Sequence, residues 1–204
     1  MIFYDSANPA PNPRRVRIFA AEKGIALPTE NISIMAGEQK SPEFLKINSR
    51  GQTPALKLDD GTVISESVAI CRYLEAVHPE KPMFGEKPEE IGAIEMWLRR
   101  AEMLVMEPVG KLWVHAHPYT AKMPIKRYPE YGESNRARAV EGFSMCNEAL
   151  ADRDYLAGSR FSAADIILFC TIEFAQFVGI DIPQEHKHLL DWHARVSARP
   201  SAKA

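Results

Sequence analysis

The sequence changes character near residue 80, and this change limits the folds that the chain can adopt. Before it, short apolar runs alternate with helical patterns in the order β-α-β-α-β-β-α. After it, only helical patterns occur. Residues 79–88 contain three prolines and one glycine among charged residues, which is typical of a linker. We therefore predict an α+β protein with an α/β domain at 1–79, a linker at 80–88 and an all-α helical bundle at 89–204.

Local signals place the elements of the first domain. Apolar runs predict strands at 2–4 and 31–34. Helical spacing predicts helices over 13–23 and 67–77, and Gly24 closes the first of them. The turn residues near the centre of 55–64 predict a hairpin.

The helix predicted over 162–178 is the best defined element of the second domain. It is apolar on all sides, which is typical of a buried central helix. Ser162 and Asp165 fit a capping box that stabilises its start. Earlier in the domain, one apolar helix face runs from 91 to 105, and Pro108 is expected to kink or end that helix.

Charge and cysteine content argue against several classes of function. The chain has 25 Lys and Arg against 27 Asp and Glu, so we expect neither nucleic acid nor an anionic membrane as a partner. No signal peptide and no membrane-spanning run is visible. Three widely spaced cysteines predict reduced thiols in the cytoplasm. Two His-x-His pairs lack nearby ligands of a metal-site pattern, so we expect no metal.

A proline follows a glycine turn at the start of the predicted hairpin. Pro54 cannot donate to a strand ladder, so it belongs at a strand start or edge. The backbone of Thr53 is then able to pair with an extended peptide. An ordinary turn explains the same pattern equally well.

The start of the predicted helix at 67 offers groups that bind an anion. Ser67 and the exposed N–H groups of the first turn favour a carboxylate there. Glu66 then remains able to face an ammonium group. A plain helix cap is the alternative explanation.

The loop between the first strand and the first helix is dense in proline. Its small polar residues lie beside a helix N-terminus, where a thiolate is stabilised. Asn12 followed by Pro13 also fits a local N-cap. Both interpretations stay open from the sequence alone.

Together these segments resemble the glutathione S-transferase family. The matching segments are 12–24, 42–48, 51–56, 65–74, 161–166 and 199–201. The resemblance covers nearly the whole chain, and the order and spacing of the segments make it specific. It implies a thioredoxin-like N-terminal domain, an all-α C-terminal domain, a homodimer and a glutathione site between the domains.

The resemblance also implies roles for individual residues. Pro54 corresponds to the family's cis-proline, and the Thr53 backbone would pair with the cysteinyl part of glutathione. Glu66 would face the amine of the γ-glutamyl end, and Ser67 would face its carboxylate. The rest of the tripeptide would lie near Gln39, Lys40 and Gln52. Lys40 would meet the glycyl carboxylate, although an exposed, solvated lysine is an equal alternative.

The sequence departs from the family at the position that activates the thiol. Many members carry Ser, Cys or Thr where this chain has Ala10. A bacterial subgroup has an asparagine two residues later, so Asn12 is the first candidate to hydrogen-bond the glutathione sulfur. Ser6 and Asn8 are weaker candidates.

The resemblance places the apolar pocket for the second substrate near the end of the first bundle helix. Met106, Trp113 and His117 lie there, although core packing explains such residues as well.

The function predicted is a glutathione transferase acting on a small, apolar electrophile. One alternative is glutathione-dependent reduction of a disulfide or peroxide, since the subgroup that carries the asparagine includes such reductases. The other, suggested by Ala10, is a non-catalytic glutathione-binding protein.

Overall fold

A four-stranded sheet organises the first part of the chain, in the order β2-β1-β3-β4. Its strands are β1 (Ile2–Asp5), β2 (Thr29–Asn31), β3 (Ala55–Lys57) and β4 (Val63–Ser65). β1 and β2 run parallel, whereas β3 pairs antiparallel with both β1 and β4. The helices of this part are α1 (Pro11–Lys23), α2 (Pro42–Ile47) and α3 (Ser67–Val77). α1 supplies the crossover that a parallel strand pair requires.

The second part of the chain is entirely helical. Its helices are α4 (Pro88–Arg100), α5 (Glu107–His115), α6 (Pro129–Ala149), α7 (Ala163–Phe177) and α8 (Lys187–Ser197). Short 3₁₀ turns occur at Glu38–Lys40, Pro118–Lys122 and Pro200–Lys203. The predicted class, a thioredoxin-like α/β domain followed by an all-α domain, is confirmed.

The computed structural model describes residues 1–204 and divides them into two units. One consists of Met1–Pro82 with Pro200–Ala204, and the other is Met83–Arg199. Sequence patterns grouped the last five residues with the helical domain, whereas this division places them with the first unit. The Arg14 guanidinium donates to the Ala202 carbonyl at 2.9 Å, and the Ser201 hydroxyl donates to Glu22. These contacts tie the closing turn to α1.

The strand predicted over 31–34 is wrong in its bounds. β2 ends at Asn31, and the Ile32 N–H still donates to the Asp5 carbonyl at 2.8 Å. The chain then turns, because the Ser33 N–H donates to the Glu38 carboxylate at 2.7 Å. The alternation of apolar residues at 32 and 34 therefore continues beyond the strand.

Of the two outcomes predicted at Pro108, a kink or an end of the helix, the end is wrong. A π-helical stretch, Ala101–Met106, follows α4, and α5 then continues to His115. Pro108 is the second residue of α5, and Met106 before it keeps right-handed helical dihedrals, so the helix does not stop at the proline. The helix therefore departs from regular α geometry in the π-helical stretch before Pro108, and it does not end at Pro108.

The capping box predicted at the start of α7 is confirmed, and Asp165 does more than cap. Its carboxylate is fully buried and accepts from the Ser162 N–H at 3.0 Å and the Ser162 hydroxyl at 2.9 Å. It also accepts from the Leu156 N–H at 2.9 Å and the Trp192 indole at 3.0 Å. Burial raises the pKa of Asp165, and these hydrogen bonds oppose that rise. One carboxylate therefore joins α7, α8 and the connection before α7.

The three cysteines are buried in helices, and none forms a disulfide. Cys71 lies in α3, Cys146 in α6 and Cys170 in α7. Burial raises the pKa of the Cys146 thiol to about 12. Among the helices, none combines the length and the apolar character needed to cross a membrane.

Candidate functional site

The candidate residues of the first unit gather at one edge of its sheet. The strand directions bring the carboxyl ends of β1, β2 and β4 to the same edge as the start of β3. The loop before α1, the turn before β3 and the start of α3 all emerge there. Ser6 and Thr53 are in direct contact, since their hydroxyl oxygens lie 2.7 Å apart. The topology therefore assembles the segments that the sequence singled out.

The turn before β3 presents an unpaired stretch of backbone. The Thr53–Pro54 peptide bond is cis, as the resemblance implied. The N–H and C=O groups of Thr53 make no hydrogen bond within the chain. Thr53 is half-buried, and β3 begins two residues later at Ala55. An extended peptide can pair with these two backbone groups, as in strand addition.

The start of α3 combines charges of both signs. Ser67 is the first residue of the helix, and its buried hydroxyl accepts from the Arg15 guanidinium at 3.4 Å. Glu66 is exposed, and its carboxylate makes no hydrogen bond or ion pair. Its φ of 71° is uncommon for a residue other than glycine, and such strain concentrates at functional sites. This arrangement suits a ligand that carries a carboxylate beside an ammonium group.

Arg15 is a site residue that the sequence patterns did not reveal. It is only 3% exposed, on the buried face of α1 beside Val16. A buried arginine is rare, so its position at a helical core spacing was the available signal. Its charge lies behind Ser67, where it adds to the attraction that the helix N-terminus exerts on an anion.

Gly51 brings the remaining polar candidates together. Its φ is 58°, and a Cβ atom there would lie 2.6 Å from the Gln39 carbonyl oxygen and 2.8 Å from the Lys40 ammonium nitrogen. The Lys40 ammonium donates to the Arg50 carbonyl at 3.0 Å. Gln52 is exposed beside them. The Gln39 side-chain oxygen is buried without a hydrogen-bond partner.

Asn48 holds this turn in place and was not singled out from the sequence. It is 7% exposed, and its amide group donates to the Gln52 carbonyl at 2.7 Å. Its side-chain oxygen accepts from the Arg50 N–H at 3.2 Å. Both bonds bridge the turn on which Gly51 sits, so Asn48 fixes the approach of residues 39 and 40.

Hydrogen bonds near the start of α1 distinguish Ser6 from Asn12 as candidates for thiol activation. The Ser6 hydroxyl is buried and donates to the Ile32 carbonyl at 3.0 Å, so Thr53 is the donor in their mutual bond. Ser6 therefore has no proton left for a ligand. The N-cap interpretation of Asn12 is wrong, because Ala10 is the N-cap and α1 begins at Pro11. The half-buried Asn12 amide makes no hydrogen bond.

In the second unit, Trp113 is the centre of an aromatic cluster. Its ring centroid lies 4.8 Å from that of His117 and 5.3 Å from that of Tyr119. Phe174 and Phe177 of α7 complete the cluster, with centroids 5.5 Å and 5.7 Å away. Burial, reinforced by the charge of Arg127, lowers the pKa of His117, so its ring is neutral near pH 7. The cluster is thus uncharged.

A glycine separates Met106 from this cluster. Gly110 follows Met106 by four residues and precedes Trp113 by three, so all three share one helix face. A Cβ atom at Gly110 would meet nothing within 4 Å, and φ there is not positive. Neither packing nor backbone conformation requires this glycine. It leaves a notch between the half-buried Met106 and Trp113 side chains.

Comparison with known families decides to which family the chain belongs. Residues 10–77 match the family model described as glutathione S-transferase, N-terminal domain. Residues 113–200 match the model described as glutathione S-transferase, C-terminal domain. The two matches cover more than half of the chain. The chain belongs to the glutathione S-transferase family.

Individual relatives agree with the family assignment. Glutathione S-transferase 2 of Saccharomyces cerevisiae is 38% identical over 207 residues, covering 100% of this chain and 88% of the relative. The crystal structure of Gtt2 from the same yeast superposes with a TM-score of 0.93 at 37% identity, covering 100% of this chain and 99% of that one. A glutathione S-transferase domain-containing protein of Marinobacter aquaeolei VT8 gives a TM-score of 0.91 at 38% identity, with coverage of 98% and 99%.

The family assignment confirms the predicted activity class. Members are transferases that use glutathione as co-substrate, and the relatives are named accordingly. The two alternatives, a reductase and a non-catalytic binding protein, are not favoured by these relatives.

Proposed function

We propose that this glutathione S-transferase joins glutathione to a small, apolar electrophile. The first unit binds glutathione, and the helical unit supplies the acceptor pocket. The start of α3 carries the proposal, because it offers the two charges that the γ-glutamyl end of glutathione requires. The carboxylate of the γ-glutamyl end accepts hydrogen bonds from the first N–H groups of α3 and from the Ser67 hydroxyl. The amine of the γ-glutamyl end faces Glu66.

The rest of glutathione extends from that anchor along the sheet edge. The cysteinyl part pairs with the backbone of Thr53, next to the cis-proline Pro54. The glycyl end reaches the polar group formed by Gln39, Lys40 and Gln52. Lys40 supplies a cation for the glycyl carboxylate. The contacts to the γ-glutamyl end, the cysteinyl backbone and the glycyl end together orient the sulfur toward the loop that precedes α1.

The thiol is activated without a hydroxyl or thiol at Ala10. The α1 dipole contributes about 0.3–1 kcal/mol to an exposed anion, which is less than the roughly 1.4 kcal/mol of one pKa unit. An amide donor, first of all Asn12, therefore has to supply the remainder. The thiolate sulfur then forms a bond to the electrophilic carbon, whose leaving group departs with its electron pair. The thiol proton has already gone to solvent.

The assembly and compartment complete the proposal. The family resemblance supports a homodimer, and the three buried, reduced cysteines suit the cytoplasm. The partners are glutathione and a small electrophile, and a net charge of −2 gives no attraction for nucleic acid or an anionic membrane. No metal is involved. The conjugation is tested by turnover of a chlorodinitrobenzene with glutathione, measured beside reduction of a model disulfide.

Glu66→Ala and Ser67→Ala are each expected to weaken glutathione binding by about tenfold or more. A hydrogen bond to a charged group contributes about 1.5–3 kcal/mol, and both variants remove one. Calorimetric titration with glutathione measures the affinity. Glu43→Ala and Ser49→Ala, at exposed positions of the same unit, serve as controls that retain it. Unchanged affinity in both site variants would overturn the assignment of the γ-glutamyl anchor.

Gly110→Leu is expected to select against bulky acceptors. The added side chain fills the notch beside Trp113, so KM for a bulky acceptor rises about tenfold, or roughly 1.4 kcal/mol. KM for a small acceptor and the affinity for glutathione stay unchanged. Gly92→Leu, in α4 with equally open space, is the matched control. Equal losses for both acceptor sizes would show that the notch does not hold the acceptor.

A further inference from the structure

Arg17 reaches from α1 back to the loop that precedes this helix. Its guanidinium donates to the Asp5 carboxylate at 2.6 Å and to the Ser6 carbonyl at 3.2 Å. The other terminal nitrogen donates to the Asn8 side-chain oxygen at 2.5 Å. One side chain thus holds the end of β1 and the following loop at three points.

Asp5 makes this arrangement stable. It is 6% exposed, and the oxygen that faces Arg17 also accepts from the Ser6 N–H at 2.7 Å. A carboxylate so nearly buried requires a paired cation, and Arg17 is that cation. The ion pair with Asp5 therefore fixes the position of the Arg17 guanidinium, and the guanidinium in turn holds the loop that follows β1.

The contact with Arg17 decides which end of the Asn8 amide is available. A guanidinium only donates hydrogen bonds, so Asn8 has to turn its oxygen toward it. The amide nitrogen then points away from Arg17, with both of its hydrogens. Asn8 is exposed, and its amide nitrogen makes no hydrogen bond within the chain. Arg17 thereby fixes the orientation of this amide, with its oxygen engaged and both of its N–H hydrogens available to a ligand.

This property distinguishes Asn8 from the other polar residue of the loop. The Ser6 hydroxyl donates its only hydrogen to the Ile32 carbonyl, so it cannot donate a hydrogen bond to a ligand. The Asn8 amide keeps two hydrogens. A thiolate needs donors, and an amide turned the other way would repel it.

We propose that Asn8 donates a second hydrogen bond to the glutathione thiolate, in addition to the Asn12 donor of the proposed function, and that Arg17 is the positioning residue that orients Asn8. The inference rests on the proposed function, since it concerns the sulfur of bound glutathione. Lysine cannot take the place of Arg17, because one ammonium group does not span Asp5 and Asn8 in a fixed fork. The effect of Arg17 on the thiol passes through Asn8.

The test is an ultraviolet titration of the thiolate of glutathione bound to the full-length protein. Asn8→Ala and Arg17→Gln are each expected to raise the thiol pKa by about one unit, a tenfold loss of thiolate below that pKa. The double variant is expected to show no more than the single shift, because the two residues act in series. Arg14→Gln removes a guanidinium from the same helix and is expected to leave the thiol pKa unchanged.

Each outcome decides the inference. An unchanged thiol pKa in Asn8→Ala overturns it, even if Arg17→Gln fails to fold. Additive shifts in the double variant overturn the positioning role of Arg17. If the protein without substitutions binds no glutathione, the proposed function fails. If that protein lowers the thiol pKa and Asn8→Ala retains the full effect, only this inference fails.

Discussion

Replacement of Asp165 by alanine is expected to lower the free energy of unfolding by about 3–5 kcal/mol, because each buried donor left without an acceptor costs about 1–3 kcal/mol before relaxation. Four donors lose their acceptor in this variant: the Leu156 N–H, the Ser162 N–H and hydroxyl, and the Trp192 indole. A loss of this size is comparable with the whole stability of many domains, about 5–15 kcal/mol. Urea denaturation followed by circular dichroism measures it.

Two further variants define the source of this loss. Asp165→Asn keeps the oxygen that serves Leu156 and Trp192, so it should lose clearly less stability than alanine. Asp152→Ala, at a side chain that is 76% exposed, should leave stability almost unchanged. A loss below about 1 kcal/mol in Asp165→Ala would show that the buried hydrogen bonds are not what holds α7 and α8 together.

Gly51→Ala is expected to weaken glutathione binding by at least about tenfold, or roughly 1.4 kcal/mol. The new methyl group would meet the Gln39 carbonyl oxygen at 2.6 Å, a backbone atom that cannot turn aside. Residues 39 and 40 therefore have to move away from the turn. A positive φ adds about 1–2 kcal/mol of strain for alanine. Calorimetric titration gives the affinity, and thermal unfolding gives the loss of stability.

Gly61→Ala separates the two causes. Gly61 lies in the hairpin turn of the same unit with φ of 88°, and a Cβ atom there meets nothing within 4 Å. This control carries the conformational cost without the collision. It should lose stability but keep its affinity for glutathione. Equal affinities in the two variants would mean that the position of residues 39 and 40 does not matter for binding.

Much of the fold was predictable because its signals are local. The capping box of α7 depends on residues three apart, and the hairpin before α3 depends on its turn. Two of the errors have local causes as well. β2 stops at Asn31 because Ser33 begins a turn with Glu38, a side chain five residues away. The helix passes Pro108 because a π stretch precedes it, and no pattern of apolar residues reports that stretch.

The site was predictable only where a motif carries it. Ser67 and Pro54 stand in the segments that carry the resemblance, so the resemblance implied them as site residues. The contacts that make Arg15, Asn48 and Arg17 candidates form only in the folded chain. Arg15, for example, meets Ser67 across 52 residues. Sequence spacing alone does not fix a side-chain contact of that separation.

The burial of the cysteines has a consequence for a catalyst that handles reactive compounds. Electrophiles alkylate thiolates far faster than thiols. The pKa of Cys146, about 12, leaves almost no thiolate near neutral pH, and Cys71 and Cys170 are only 3% and 1% exposed. An electrophilic acceptor of the kind proposed would therefore meet no exposed cysteine of the protein, and the one thiol within its reach would be the one that arrives with glutathione and leaves with the product.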